Sequence, residues 1–137
     1  MKYPELWNRF INEVYYAFID NEHSIFKSNA QKNAIIAFSY DAEVNNGGHI
    51  LFFECYGDKF SNSEVAEALL ETTNERYASN FLSAAAHIYY NDTFGYMDKN
   101  ENADTDPAED FEYTAIKPTL PDLLVVYIYE NREDIFL

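Results

Sequence analysis

The sequence predicts a mainly α fold: one domain over residues 1–137, about six to eight packed helices, and little or no sheet. Three observations carry that prediction. Apolar residues recur at spacings of three and four over long stretches, the period of one helix face. Glycine and proline number only four each, whereas an all-β sandwich needs turn residues every ~8–12 positions. Eleven Phe and twelve Tyr supply a core that disordered acidic chains lack.

The first helix is expected from Pro4 to about Asp20. Leu6, Trp7, Phe10, Ile11, Val14, Tyr15, Phe18 and Ile19 share one face, and Pro4 suits a first turn, where its missing N–H costs nothing. A turn follows at Asp20-Asn21-Glu22. The second helix starts at Ser28 or Asn29, either able to cap it, runs through Ala34, Ile35, Phe38 and Ala42, and is expected to stop at Gly47-Gly48, because glycine accepts the left-handed conformation that closes helices. Ile50-Leu51-Phe52-Phe53 reads equally as buried strand or buried helix. Ser61 and Glu64 stand at capping-box spacing and open a helix with Val65, Ala68, Leu69 and Thr72 inward. Arg76 to Tyr90 gives another, with Tyr77, Phe81, Leu82, Ala85, Ile88 and Tyr89 inward. The last spans about Leu123 to Asn131, after Pro121-Asp122. The expected core is Trp7, Phe10, Phe38, Phe52, Leu69, Phe81 and Tyr127.

Charge narrows the function classes. Twenty-four Asp and Glu against nine Lys and Arg give −15. Such a surface repels phosphates and anionic lipid, which disfavours direct nucleic-acid or membrane binding and favours a basic protein partner. Solubility alone is the competing explanation. The single Cys55 excludes an intrachain disulfide and suits a reducing compartment. No signal-like start and no run approaching ~18 apolar residues is present. Together these features predict a cytoplasmic protein.

An acidic loop is expected at about 91–112, where eight Asp and Glu face one base, Lys99. Asp98, Glu101, Asp104, Asp106, Glu109, Asp110 and Glu112 are its candidate partner-binding residues. Asp98, Asn100, Asn102, Asp106 and Glu109 also fall at positions 1, 3, 5, 9 and 12 of an EF-hand-like loop, but Ala103 takes the place of the required glycine. No metal ligand is assigned. The second acidic feature is Glu64, Glu67, Glu71 and Glu75, whose spacings place all four on one helix face. That row reads either as a solvent face or as a charge ladder for a basic partner.

Catalytic patterns are sparse. His23, His49 and His87 form no metal or nucleophile motif, Cys55 reads as a packed thiol, and a Glu43–Glu54 pair has no spacing argument behind it. No catalytic residue, cofactor or metal is assigned, and an enzyme is not expected. In Glu43-Val44-Asn45-Asn46-Gly47-Gly48, the amides can bond backbone groups at a helix end and the glycines permit positive φ and close backbone approach. Glu43 is expected to accept a hydrogen bond from the turn. The motif reads as a hinge between helices, with a ligand site as the alternative.

The same stretch, followed by Phe52-Phe53, resembles the signature of the DMP-type DNA-mimic family, small acidic helical proteins of bacteria. The resemblance extends over Ala37-Phe38-Ser39-Tyr40-Asp41, Ala84-Ala85-Ala86, Tyr127-Ile128-Tyr129-Glu130-Asn131 and Ile135-Phe136. His49 and Leu51 depart from it, standing where an aromatic and a glutamine are usual. It implies a non-catalytic protein that occupies the basic nucleic-acid-binding face of a partner, and it admits a homodimer. Two other classes stay open: an antitoxin or immunity-type inhibitor of a basic toxin such as a nuclease, marked by an acidic patch around an aromatic anchor, and a hydrolase or metal enzyme, marked by a pocket gathering Glu43, His49 and Glu54.

Overall fold

The computed structural model describes residues 1–21, 26–91, 98–99 and 108–137. It is mainly α. Helix α1 (Pro4–Phe10), a π-helical turn (Ile11–Tyr15) and α2 (Tyr16–Asp20) follow one another without a break, making the expected N-terminal rod. The wider π turn shifts the phase of the apolar stripe. Phe10, Val14, Tyr15 and Phe18 are buried, Leu6 and Trp7 are half-buried, and Ile19 is exposed.

Helix α3 (Asn29–Tyr56) is 28 residues long and bends at Gly47-Gly48, where the backbone leaves helical geometry. The Ser28 hydroxyl caps it by accepting from the Gln31 N–H at 3.0 Å. The expected stop at the glycines is thus a kink rather than an end, and Ile50-Leu51-Phe52-Phe53 is helix. Helix α4 (Asn62–Thr72) opens on the predicted capping box: the Ser61 hydroxyl accepts from the Glu64 N–H, and the Glu64 carboxylate accepts from the Ser61 N–H. Its inner face is Val65, Ala68, Leu69 and Thr72, as the spacing predicts.

Helix α5 (Glu75–Ile88) carries Tyr77, Ala78, Phe81, Ala84, Ala85 and Ile88 inward. Leu82, expected inside, is 47 % exposed, because the face that packs is centred on Phe81 and the small alanines. Tyr89 leaves the helix for strand β1 (Tyr89–Asn91), which pairs antiparallel with β2 (Asp98–Lys99) in the register Tyr89 with Lys99 and Asn91 with Asp98. Helix α6 (Ala108–Ala115) occupies the end of the segment expected to be a loop, with Tyr113 buried. Helix α7 (Leu120–Glu130) begins three residues earlier than predicted, since Thr119 caps it and Pro121 sits in its first turn. The short α8 (Arg132–Ile135) closes the chain.

One hydrophobic cluster joins these helices. Phe10, Phe52, Leu69 and Phe81 lie inside it, and Trp7, Phe38 and Tyr127 pack on it half-buried. Tyr40 stands edge-on to Phe52, Phe81 and Tyr113, with ring centroids 5.2–5.6 Å apart, a geometry that ring quadrupoles favour. No described helix is long and apolar enough to cross a membrane.

Candidate functional site

On α4, Glu67 and Glu71 are exposed and Glu64 is half-buried. Glu64 is not an open charge. Lys32 of α3 reaches it at 2.6 Å, and this contact holds its carboxyl below the usual range. Glu75 does not belong to the row. The helix ends at Thr72, the Thr73 hydroxyl turns back to the Leu69 carbonyl, and the Asn74 side chain accepts from the Arg76 and Tyr77 N–H groups to start α5 at Glu75. The spacing of four was in phase, but two caps lie between. The three remaining carboxylates line a groove of ≈ 490 Å³ between α4, α3 and α7, with Asn29, Asn33 and Asn131 adding amides and Tyr127 a half-buried aromatic ring.

The second acidic region divides. Glu101, Asp104 and Asp106, with Asn100 and Asn102 of the calcium pattern, lie outside the described residues, and Asp98 falls in β2. Within α6 only Glu112 of the three predicted contacts is exposed, whereas Asp110 is half-buried and Glu109 is 2 % exposed. The Glu109 carboxylate accepts from the Ser83 hydroxyl at 2.8 Å and lies 2.5 Å from Nδ1 of His87, while its backbone carbonyl accepts from the Asn80 amide at 3.1 Å. Burial pushes its carboxyl up, but Ser83, the backbone and His87 outweigh burial and hold it below the usual range. These two side chains face the protein, not a partner. Among the described residues, no three His, Cys, Asp or Glu side chains are placed to hold a metal ion.

Asp110 is engaged at the kink. Gly48 has φ 78° and ψ −178°, a region open essentially to glycine alone, and a Cβ there would stand 2.4 Å from Oδ2 of Asp110. Breaking the helix orphans the first N–H groups of its second half. Asp110 supplies the missing acceptor from another helix: its Oδ1 accepts the His49 N–H at 3.0 Å and lies 2.6 Å from His49 Nδ1. Nε2 of His49 meets the Tyr40 hydroxyl at 2.6 Å. Alongside, the Tyr113 hydroxyl donates to Asp41 Oδ1, and the Asn45 amide donates to Oδ1 and to the backbone oxygen of Asp41 at 3.0 and 2.9 Å.

The hinge reading of the motif therefore matches the geometry: Asn45 bonds backbone, Gly48 takes positive φ, and α6 approaches closely. Asn46 is exposed, and Glu43 accepts from the Cys55 thiol at 3.7 Å instead of from the turn. Among the described residues, Glu43, His49 and Glu54 do not converge: Glu54 is exposed and His49 turns inward to Tyr40 and Asp110. Burial lowers the proton affinity of His49 against the pull of Asp110, and burial raises the Tyr40, Asp41 and Tyr113 groups. Such a network keeps Tyr40 protonated and the imidazole neutral, and it ties both halves of α3 to α6. Sequence reasoning missed the contributions of Asp110, Tyr113 and His49 here, because each partner lies on a remote segment.

A family model described as DMP19-like protein matches residues 27–131, a span that takes in the kink, the α4 face and α6. No curated protein and no solved structure matches the chain.

Proposed function

The chain belongs to the DMP19-like protein family, and on that premise we propose that it is a non-catalytic acidic binding protein, DNA-mimic-like, which occupies the basic nucleic-acid-binding face of a protein partner. The observation that carries the proposal is the α4 groove in a chain of net charge −15. Glu67 and Glu71 stand about 6 Å apart along the helix axis, with Glu64 at the end of the row neutralised by Lys32, against one phosphate per ~3.4 Å of a single DNA strand. The row is sparser than a strand, so a full footprint needs further exposed carboxylates, of which Glu130 and Glu133 are two. A homodimer would extend it further, and a mass measurement in solution tests for one.

A second reading, an antitoxin or immunity-type inhibitor of a basic toxin, is favoured by Tyr127. An aromatic ring lining an acidic groove is the kind of anchor that protein interfaces concentrate their energy on. Both readings require a basic protein and part on competition. Capture of partners from a cell extract, repeated with added duplex DNA, is expected to lose the partner to DNA under the first reading. Capture that DNA leaves untouched, and that Tyr127→Ala abolishes, supports the second. A partner retained unchanged through 0.5 M salt and through Glu67→Gln with Glu71→Gln overturns both, since exposed charge pairs are screened within a few ångströms at that ionic strength.

A further inference from the structure

Asn46-Gly47 is the one Asn-Gly step in the chain, and it lies where the first half of α3 runs out. Both residues are exposed. Two adjacent asparagines stand there under opposite restraint. The Asn45 amide donates to the backbone oxygen and to Oδ1 of Asp41 at 2.9 and 3.0 Å, whereas nothing among the described residues bonds the Asn46 side chain. The residue that follows differs as well. Asn45 precedes a residue with a Cβ, and Asn46 precedes a glycine, which leaves its peptide nitrogen open to approach. Beyond that point the helix has already given way: Gly47 (φ −156°, ψ 21°) and Gly48 (φ 78°, ψ −178°) both stand outside helical torsions. In an unbroken helix, turning ψ at an asparagine drags the next turn with it. Here the two glycines absorb the rotation, and at most the i→i−4 bond of the Gly47 N–H has to open.

We propose that Asn46 is a site of self-modification, at which the Gly47 nitrogen attacks the side-chain amide and converts it to aspartate and isoaspartate. The Gly47 N–H gives its proton to water, and the nitrogen bonds to Cγ of Asn46, closing a five-membered succinimide. The Cγ–Nδ2 bond breaks, and Nδ2 takes up a proton and leaves as ammonia. Water then opens the ring. Attack at Cγ restores the ordinary main chain with an aspartate side chain, and attack at the main-chain carbonyl leaves the chain running through Cγ as isoaspartate. No oxidant or reductant takes part. Either product adds a negative charge at the C-terminal end of a half-helix, where the macrodipole opposes it. The isoaspartyl product also lengthens the main chain by one methylene, immediately before the kink whose far side Asp110 holds through the His49 N–H. The modification does not depend on what the α4 groove binds.

The test is ageing of the intact chain at mildly alkaline pH, where the attacking nitrogen loses its proton more readily. Digestion and fragment mass spectrometry then separate loss at Asn45 from loss at Asn46, and isoaspartyl methyltransferase labelling and an ammonia assay identify the products. Freeing Asn45 costs its two hydrogen bonds, so loss at Asn46 is expected at least about tenfold faster than at Asn45, and within about tenfold of its own rate in the urea-unfolded chain. Ammonia is expected to match the loss one for one. Aspartate and isoaspartate are expected together, since only the ring gives both. Gly47→Ala sets a Cβ beside the attacking nitrogen and is expected to slow the loss several-fold. Loss at Asn46 no faster than at Asn45 in the folded chain overturns the proposal, and so does aspartate formed without isoaspartate. A folded Gly47→Ala chain that ages at the native rate overturns it too. If that variant does not fold, the rates and products of the native chain, folded and in urea, decide alone.

Discussion

On α4, Glu67 and Glu71 stand in water, and the one neighbour that is neutralised, Glu64, gives its carboxylate to Lys32 and to the Ser61 cap. On α6, Glu109 and Asp110 point inward, each to a histidine on a different helix, His87 and His49. Both regions are dense in acid, and both place Asp or Glu in a first helical turn, where the macrodipole welcomes them. They differ in what replaces water around the charge. An exposed carboxylate keeps its hydration and is available to a partner, whereas a buried one survives only when donors replace that hydration. Acidic composition locates charge along the chain, and the side chains that reach each carboxylate then separate binding surface from scaffold.

Substitutions sharpen this contrast, and the largest effect belongs to the kink. Gly48→Ala forces a side chain into backbone torsions it rarely adopts and against Asp110, with an expected loss of about 3 kcal/mol in urea denaturation. Asp110→Asn keeps the volume but removes the charged acceptor of two N–H groups, an expected loss of about 2 kcal/mol by the same measurement. If Asp110→Asn were as silent as a surface change, the scaffold role assigned to α6 would be wrong. Ser61→Ala deletes one half of the capping box and is expected to cost about 1 kcal/mol.

At the other end of the scale, Glu67→Gln and Glu71→Gln are each expected to move the unfolding midpoint by less than the equivalent of ~0.5 kcal/mol while slowing association with a basic partner in low salt. Glu64 adds a pH test. Its carboxyl is held below the usual range by Lys32, so its contribution is present above the unfolded carboxylate value and is lost as pH falls. Solvent screening at this partly exposed pair limits it to tenths of a kcal/mol. Lys32→Met is expected to flatten that small acid limb in a denaturation series from pH 7 to 3.

Local signals made much of this legible. The capping box, the inner face of α4 and the glycine kink each follow from residues a few positions apart, whose chemistry acts within one or two turns. Part of the core was legible as well, since Phe10, Leu69 and Phe81 sit on periodic stripes that must find cover and Phe52 belongs to an apolar run that is buried in either conformation. What stayed hidden depends on distance along the chain. Asp110 meets His49 across 61 positions, and no spacing rule relates them, so two structural carboxylates read as surface. Helix α6 was obscured by its own acidity, which resembles a solvated loop until Tyr113 is seen to be buried. The error at Glu75 was of another kind. Thr73 and Asn74 are both cap-type residues, a signal present in the chain that a spacing of four overrode.

The bend in α3 also settles a question of dimensions. The 28 residues of α3, laid out as one straight helix, would measure about 42 Å, while a ball of this chain length is only about 37 Å across by the radius-of-gyration rule. A straight rod would protrude. Adjacent helices are ordinarily joined by a connection of ~2–8 residues, yet here the corner is turned within the two glycines at 47 and 48, and the chain stays helical on both sides, with Val44 buried before the corner and His49 after it. The chain holds only four glycines, and half of them are placed at this corner. The angle between two walls of the domain is therefore set by backbone torsion at adjacent residues, as a folded sheet of metal takes its shape from one crease.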